Sequence, residues 1–180
     1  MKIEIIDHLD EKRNVLGTID KITAHKKGLW HSAVRVWMLN DYNQILLQKR
    51  CADKDFFPNV WDASFAGHVS AGEDSITTVV REGYEELGIN IDLLKMEYLF
   101  TNKEQLVYKD IESNEFVDVY LLKQNINLED IVLQKEEVEA VKYISVSEFI
   151  EMIDTKDETL LPHSYEYEWL KKYFIRKRVK

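Results

Sequence analysis

AGHVSAGEDSITTVVREGYEELGI (residues 66–89) crowds Glu82, Glu85 and Glu86 onto one short segment, directly behind a loop that contains Gly67 and Gly72. Helix signals frame the segment. Asp74 is a good N-cap, Gly88 a good stop, and Ile76, Val79, Val80 and Leu87 form an apolar stripe, which predicts a helix over about 74–87. On such a helix positions 82, 85 and 86 fall within an arc of about 100°, because i, i+3 and i+4 share a face. Like charges there oppose the helix. Thr77, Thr78, Val79 and Val80 are weak helix formers, and an interior glycine such as Gly83 costs about 1 kcal/mol against alanine. A segment that breaks several local rules at once is a candidate functional site. Clustered carboxylates are the hard ligands that Mg²⁺ or Mn²⁺ takes, and a glycine upstream lets backbone approach the same ion. Glutamates alone are equally compatible with a solvated acidic helix face.

Outward from this segment, strand-like runs occur at 32–39 (SAVRVWML), 44–50 (QILLQKR), 97–100 (EYLF), 115–123 (EFVDVYLLK) and 138–146 (VEAVKYISV). The first two flank NDYN, a plausible hairpin turn. EFVDVYLLK alternates imperfectly and reads as a largely buried strand. A short helix is expected after Ser147, through Phe149, Ile150 and Ile153, and a longer one over 164–178 with a Trp169, Leu170, Phe174 seam. Strands on both sides of a central helix predict a mixed α/β (α+β) fold.

The chain has 180 residues, 45% hydrophobic and 32% charged, with no repeat or linker, and is expected to form one domain over 1–180. It has no apolar run of about 18 residues, so no membrane-spanning helix is expected. MKIEIIDHLDEKRN lacks the apolar stretch of a signal peptide, and Cys51 is the single cysteine. A cytoplasmic protein is expected. The net charge of −9 argues against general nucleic-acid binding. It also repels phosphates, unless a divalent cation intervenes. The basic tail KKYFIRKRVK reads as a solvated helix end or as a phosphate patch.

Gly67, five residues, Glu73, seven residues, Arg81-Glu82, two residues, Glu85-Glu86, one residue and Gly88-Ile89 resemble the Nudix box, here at 67–89. One position departs: Gly83 stands where the family usually has an aliphatic residue, which predicts looser loop–helix packing. The resemblance implies a mixed β-sheet sandwiched between α-helices and a divalent-metal diphosphate hydrolase. By position, Glu82 and Glu86 would be the principal Mg²⁺ (or Mn²⁺) ligands. Glu85 would be a further ligand or water-positioner, and the backbone carbonyl of Ala66 would complete the set. Arg81 and Glu73 would pair to brace the loop.

Beyond the box, GTIDKITAH (17–25), His31, QKR (48–50), KDFFPNVWDASFAGH (54–68) and SNEFVDVYLL (113–122) resemble the type 1 isopentenyl-diphosphate isomerase branch, over roughly residues 17–145. This implies that His25, His31, His68 and Glu115 would sit where the isomerases bind a metal. Lys21, Arg50 and Lys54 would grip the substrate diphosphate. The His25–His31 spacing is one residue shorter than in the isomerases, and Ser113 replaces another of their carboxylates. The isomerases carry a catalytic cysteine where this chain has Ala66, and they usually lack the complete REx₂EE helix that this chain keeps.

The chain therefore resembles the isomerase-like Nudix hydrolases. Several Nudix families take their general base from a loop near LQKEEVEAVKY, where Glu137 is the candidate and an exposed acid in a turn the alternative. Trp30, Trp37, Phe56, Phe57 and Trp61 are candidates either for the core or for stacking a base or sheltering an isoprenyl chain. The expected activity is a Mg²⁺-dependent pyrophosphohydrolase acting on a small phosphorylated substrate, a nucleoside-diphosphate-X or an isoprenyl diphosphate. The partner set is otherwise empty of nucleic acid and membrane, and a homodimer is left open. The alternatives are an isopentenyl-diphosphate isomerase and a catalytically silent binding module.

Overall fold

WHSAVRVWML is buried without a break from Ala33 to Leu39, as a strand covered from two sides must be, and it forms β3 (Trp30–Leu39), the centre of the sheet. The computed structural model describes residues 4–179. Around β3 lie β1 (Ile5–Leu9), β2 (Val15–Asp20), β4 (Gln44–Arg50), β5 (Trp61–Asp62), β6 (Phe65–His68), β7 (Met96–Tyr108), β8 (Ile111–Lys123) and β9 (Val138–Ser145). The α-helices are α1 (Lys21–Lys26), α2 (Ser75–Leu87), α3 (Val146–Asp154) and α4 (Ser164–Lys177). β3 runs antiparallel to β1, β4 and β6 and parallel to β8, so the sheet is mixed. β7 extends it through a hairpin with β8, β2 extends it beyond β1, and β5 and β9 pair with β4.

Alternation along β3 sends Ala33, Trp37 and Leu39 to one face, where Phe149 of α3 and Leu170 and Phe174 of α4 cover them. Val34, Val36 and Met38 go to the other, against Val79 and Leu87 of α2. The sheet is thus sandwiched between helices. Each fully buried large side chain contributes about 1.5–3 kcal/mol, enough to override the weak propensity of α2. The 40–43 turn forms as expected: Asn40 Oδ1 accepts from the N–H of Tyr42 at 3.0 Å and of Gln44 at 2.9 Å.

The boundaries of α2 follow the sequence. Asp74 accepts from the Thr77 N–H at 2.7 Å, and Gly88 adopts φ 67°. Its buried face does not. Ile76 and Val80 are 39% and 41% exposed, whereas Thr78, Glu82, Gly83 and Glu86 are buried beside Val79 and Leu87. The helix is rotated toward its carboxylates. Gly83 does not loosen the packing either: a Cβ there would lie 2.7 Å from Ile91 Cδ1, so Ile91 fills the space a side chain would take.

β7 is far longer than the four residues expected, because its inward positions include Asn102 and Glu104, which carry no hydrophobic signal. α3 begins two residues earlier than expected, capped by Ser145, which accepts from the Glu148 N–H at 3.1 Å. β1, β2, α1, β5 and β6 are additions to the elements read from sequence. Among the described residues no helix is long and apolar enough to cross a membrane.

Candidate functional site

Between β6 and α2 the chain reverses through Gly72 (φ 76°), closed by the Glu73 N–H donating to the Ser70 carbonyl at 2.9 Å. Arg81 then gathers this loop. Its Nη2 donates to the His68 carbonyl at 3.0 Å and to Glu73 Oε2 at 3.1 Å. Its Nη1 donates to Glu82 Oε1 at 2.6 Å and Glu85 Oε2 at 3.0 Å. The Arg81–Glu73 pairing is the one that the box resemblance implies.

Three glutamates thus meet different surroundings. The Glu85 side chain is half exposed and turned to Arg81, whereas Glu82 and Glu86 are 8% and 6% exposed. Burial pushes the Glu82 carboxyl up against the pull of Arg81. Burial, reinforced by Glu82, pushes Glu86 up to about 8, against Lys54, the Ala66 N–H and Arg50. The Ala66 N–H is 3.4 Å from Glu86 Oε2. Two buried carboxylates side by side, braced by Arg81 and faced by Lys54 and Arg50, are hard oxygen ligands of the kind a divalent cation takes.

Gly67 makes this approach feasible. A Cβ at that position would fall inside the Glu82 carboxyl group. Gly67→Ala is expected to displace Glu82 and lower turnover by about 10²-fold, with a melting temperature within a few degrees of wild type. Equal activity would show that Glu82 need not lie against the loop.

The three histidines converge. His25 comes from α1, His31 from β3, His68 from the end of β6 and Glu115 from β8, and one ligand atom from each lies within 4.8 Å of the others. Register brings them together: His31 pairs with Glu115 across β3–β8, and Ala33 with His68 across β3–β6. His31 Nδ1 lies 2.8 Å from the Leu29 carbonyl, which can only accept, so Nδ1 donates there and Nε2 is the atom turned to the cluster. That Nε2 faces His25 Nε2 at 3.3 Å and Glu115 Oε1 at 3.5 Å. Burial and His68 draw the His25 imidazole down to about 3, leaving it neutral. Three imidazoles and a carboxylate fit a Mn²⁺- or Zn²⁺-type ion better than Mg²⁺, which takes oxygen ligands.

The Ser113 hydroxyl donates to Glu115, so it orients this carboxylate. Glu4 is an addition to the sequence reading: its Oε1 is 3.6 Å from His68 Nδ1, and nothing in the residue pattern marks it.

The basic residues are engaged within the protein. Lys21 Nζ pairs with Glu4 at 2.7 Å. Arg50 donates from Nε to the Phe57 carbonyl at 3.0 Å and from Nη2 to the Phe56 carbonyl at 2.8 Å, and its Nη1 lies 3.7 Å from Asp62. It braces loop 51–60, where Phe57 and Asn59 hold positive φ. Lys54 pairs with Glu137, and burial together with Arg50 draws its ammonium down to about 8. Glu137 reaches the site because Gln134 and Val132 donate backbone N–H to the carbonyls of Glu86 and Leu87, docking segment 132–138 on the end of α2. Phe56 and Phe57 cluster with Tyr108, with Phe56 6.3 Å from His25. Trp37 is core, and Lys103 and Lys142 cover the rings of Trp30 and Trp61.

The NUDIX domain family matches residues 29–164. The chain is 40% identical over 161 residues to "Nudix hydrolase 3" of Arabidopsis thaliana, a match covering 86% of this chain and 21% of that protein. It thus spans about a fifth of that relative. It is 30% identical to "Isopentenyl-diphosphate Delta-isomerase 1" of Photorhabdus laumondii, over 89% of this chain and 90% of that one. The crystal structure of a Deinococcus radiodurans protein superposes with a TM-score of 0.73 at 20% identity, covering 92% of this chain and 98% of that one. The chain belongs to the Nudix family of hydrolases, in the part related to the isopentenyl-diphosphate isomerases.

Proposed function

We propose that the chain works as one domain, a Mg²⁺- or Mn²⁺-dependent pyrophosphohydrolase that cleaves a diphosphate linkage in a nucleoside-diphosphate-X or isoprenyl-diphosphate substrate. The observation that carries this is the burial of two neighbouring carboxylates, Glu82 against Gly67 and Glu86 beside the Ala66 N–H. When bound, a divalent cation would supply polarisation of the phosphoryl oxygens and a lower pKa for water. Glu82, Glu86 and the Ala66 carbonyl would hold it, with Glu85 at the rim. Glu137 takes the proton of the attacking water once Lys54 turns from it to a substrate phosphate. Water adds to phosphorus as the bridging P–O bond breaks, and two phosphorylated products leave. Lys21 and Arg50 join Lys54 in gripping the diphosphate, and Arg50 also braces the loop that carries Lys54. His25, His31, His68 and Glu115 would hold a second ion. The setting we propose is cytoplasmic, with a small phosphorylated substrate and neither nucleic acid nor membrane as partner.

The isomerase reading is opposed by Ala66, whose methyl group offers no proton to an allylic carbon. Incubating the protein and Mg²⁺ with isopentenyl diphosphate, nucleotides, dinucleotides and nucleotide sugars separates the readings. Phosphate or pyrophosphate release supports the hydrolase. Dimethylallyl diphosphate as the product would restore the isomerase. Binding without turnover, unchanged by Glu86→Gln, would favour a silent module.

A further inference from the structure

Alternation places His31, Ala33, Arg35 and Trp37 on one face of β3, and past the histidines that face carries a buried ionic chain which the reaction above does not use. Trp37 Nε1 donates to Glu166 Oε1 at 2.5 Å. Arg35 donates from Nη1 to Glu166 Oε2 at 2.6 Å and from Nη2 to Glu104 Oε2 at 2.9 Å. Asn102 also donates to Glu104 Oε1, at 3.2 Å. His163, 1% exposed, bridges two carboxylates: its Nδ1 lies 3.0 Å from Glu104 Oε1 and its Nε2 3.1 Å from Asp62 Oδ1. Asp62 Oδ2 faces Arg50, which holds the Phe56 and Phe57 carbonyls. The chain therefore runs from α4 through β3, β7 and β5 to loop 51–60.

Ionised carboxylates only accept, so both ring nitrogens of His163 must donate. Charge balance says the same. Asp62, Glu104 and Glu166 offset Arg35, Arg50 and His163 only if His163 is an imidazolium. Burial, Arg35 and the N-terminal end of α4 all oppose that charge, yet Glu104 and Asp62 outweigh them and bring the group to about 9. The other group against the ring is Tyr167, whose centroid is 5.8 Å away and whose hydroxyl donates to the Leu161 carbonyl.

We propose that His163 is a positioning residue, an imidazolium strut that ties β7 to β5 and, through Asp62 and Arg50, fixes the loop that carries Lys54. It rests on the proposed function only where Lys54 is assigned to the substrate. The strut itself stands or falls without any turnover, so the two readings fail separately.

The test compares wild type, His163→Gln, Glu104→Gln and the double variant by hydrogen exchange of the 51–60 amides, with α2 amides as internal reference. His163→Gln leaves a surplus buried negative charge and is expected to speed loop exchange about tenfold relative to α2. The double variant restores balance and is expected to return most of that change. A histidine that only fills space would give additive losses, and additivity overturns the proposal. So does a loop that does not respond to His163→Gln. If His163→Gln does not fold, the double variant is expected to fold, and its failure counts equally against the strut. A second readout is pH. The folded-state value lies above the ordinary 6.5, so this stabilisation is complete below about 6.5 and is lost as pH rises through about 9. Between pH 7 and 10 the melting temperature of wild type should fall more than that of His163→Gln, and parallel curves would contradict the proposal.

Discussion

Glu86→Gln is expected to lower turnover by about 10²–10³-fold or more, while the melting temperature in chelator stays level or rises by a few degrees. The two halves of this result have one cause. Glu86 sits 6% exposed beside Glu82, and burial holds its carboxyl up near 8. A carboxyl whose folded-state value is raised contributes most below about 4.5 and loses that contribution as pH rises through about 8. At neutral pH and above, the protein therefore bears a penalty for ionising it. Glutamine keeps the shape and the contact with the Ala66 N–H and removes the penalty. It also removes the charge that a divalent cation needs. Thermal unfolding in chelator, followed by a Mg²⁺ titration, reads both halves. A variant that unfolds at room temperature would show that Glu86 is structural.

His25→Ala is expected to abolish the stabilisation that one equivalent of Mn²⁺ or Zn²⁺ gives the wild type. A ligand at 100 times its Kd adds about 2.7 kcal/mol, or about 5–10 °C for a chain of this size. The imidazole is neutral already and half-buried, so its removal leaves no orphaned charge in the absence of metal. Affinity should fall by at least about 100-fold, the upper end of the effect of removing an outer-shell partner. The checking measurement is metal content after dialysis, together with melting curves. Full retention of the metal by the variant would remove the histidine cluster from the account.

Several features of the site were legible because their signal is local. Asp74 and Gly88 bound α2 by their own backbone preferences, and the spacing of Glu82, Glu85 and Glu86 required no partner to be read. The helix face was misread from Ile76 and Val80 because hydrophobic periodicity assumes that apolar side chains win burial. Here the loop at Gly67 and the sheet beneath it take the carboxylate side instead. Polar burial hid β7 for the same reason: Glu104, supported by Asn102, points inward to Arg35 and His163, residues far away in sequence.

Arg50 shows a different limit. Its place after a strand suggests a phosphate grip, and its Nε and Nη2 also donate to two carbonyls of the loop beyond, a geometry that no pattern of residue types announces. Glu4 beside His68 is likewise a product of tertiary pairing, Ile6 bridging Ser70 and the Ala71 N–H donating to the Ile5 carbonyl just past β6, without a clear sequence signal.

The most direct test of the central claim is phosphate and pyrophosphate release from a panel of X–diphosphates, with Mg²⁺ and then with chelator, for wild type and Glu86→Gln side by side. Wild type is expected to show release that stops in chelator, and the variant almost none at every Mg²⁺ concentration. Equal release by both proteins, or release that persists in chelator, would contradict the claim.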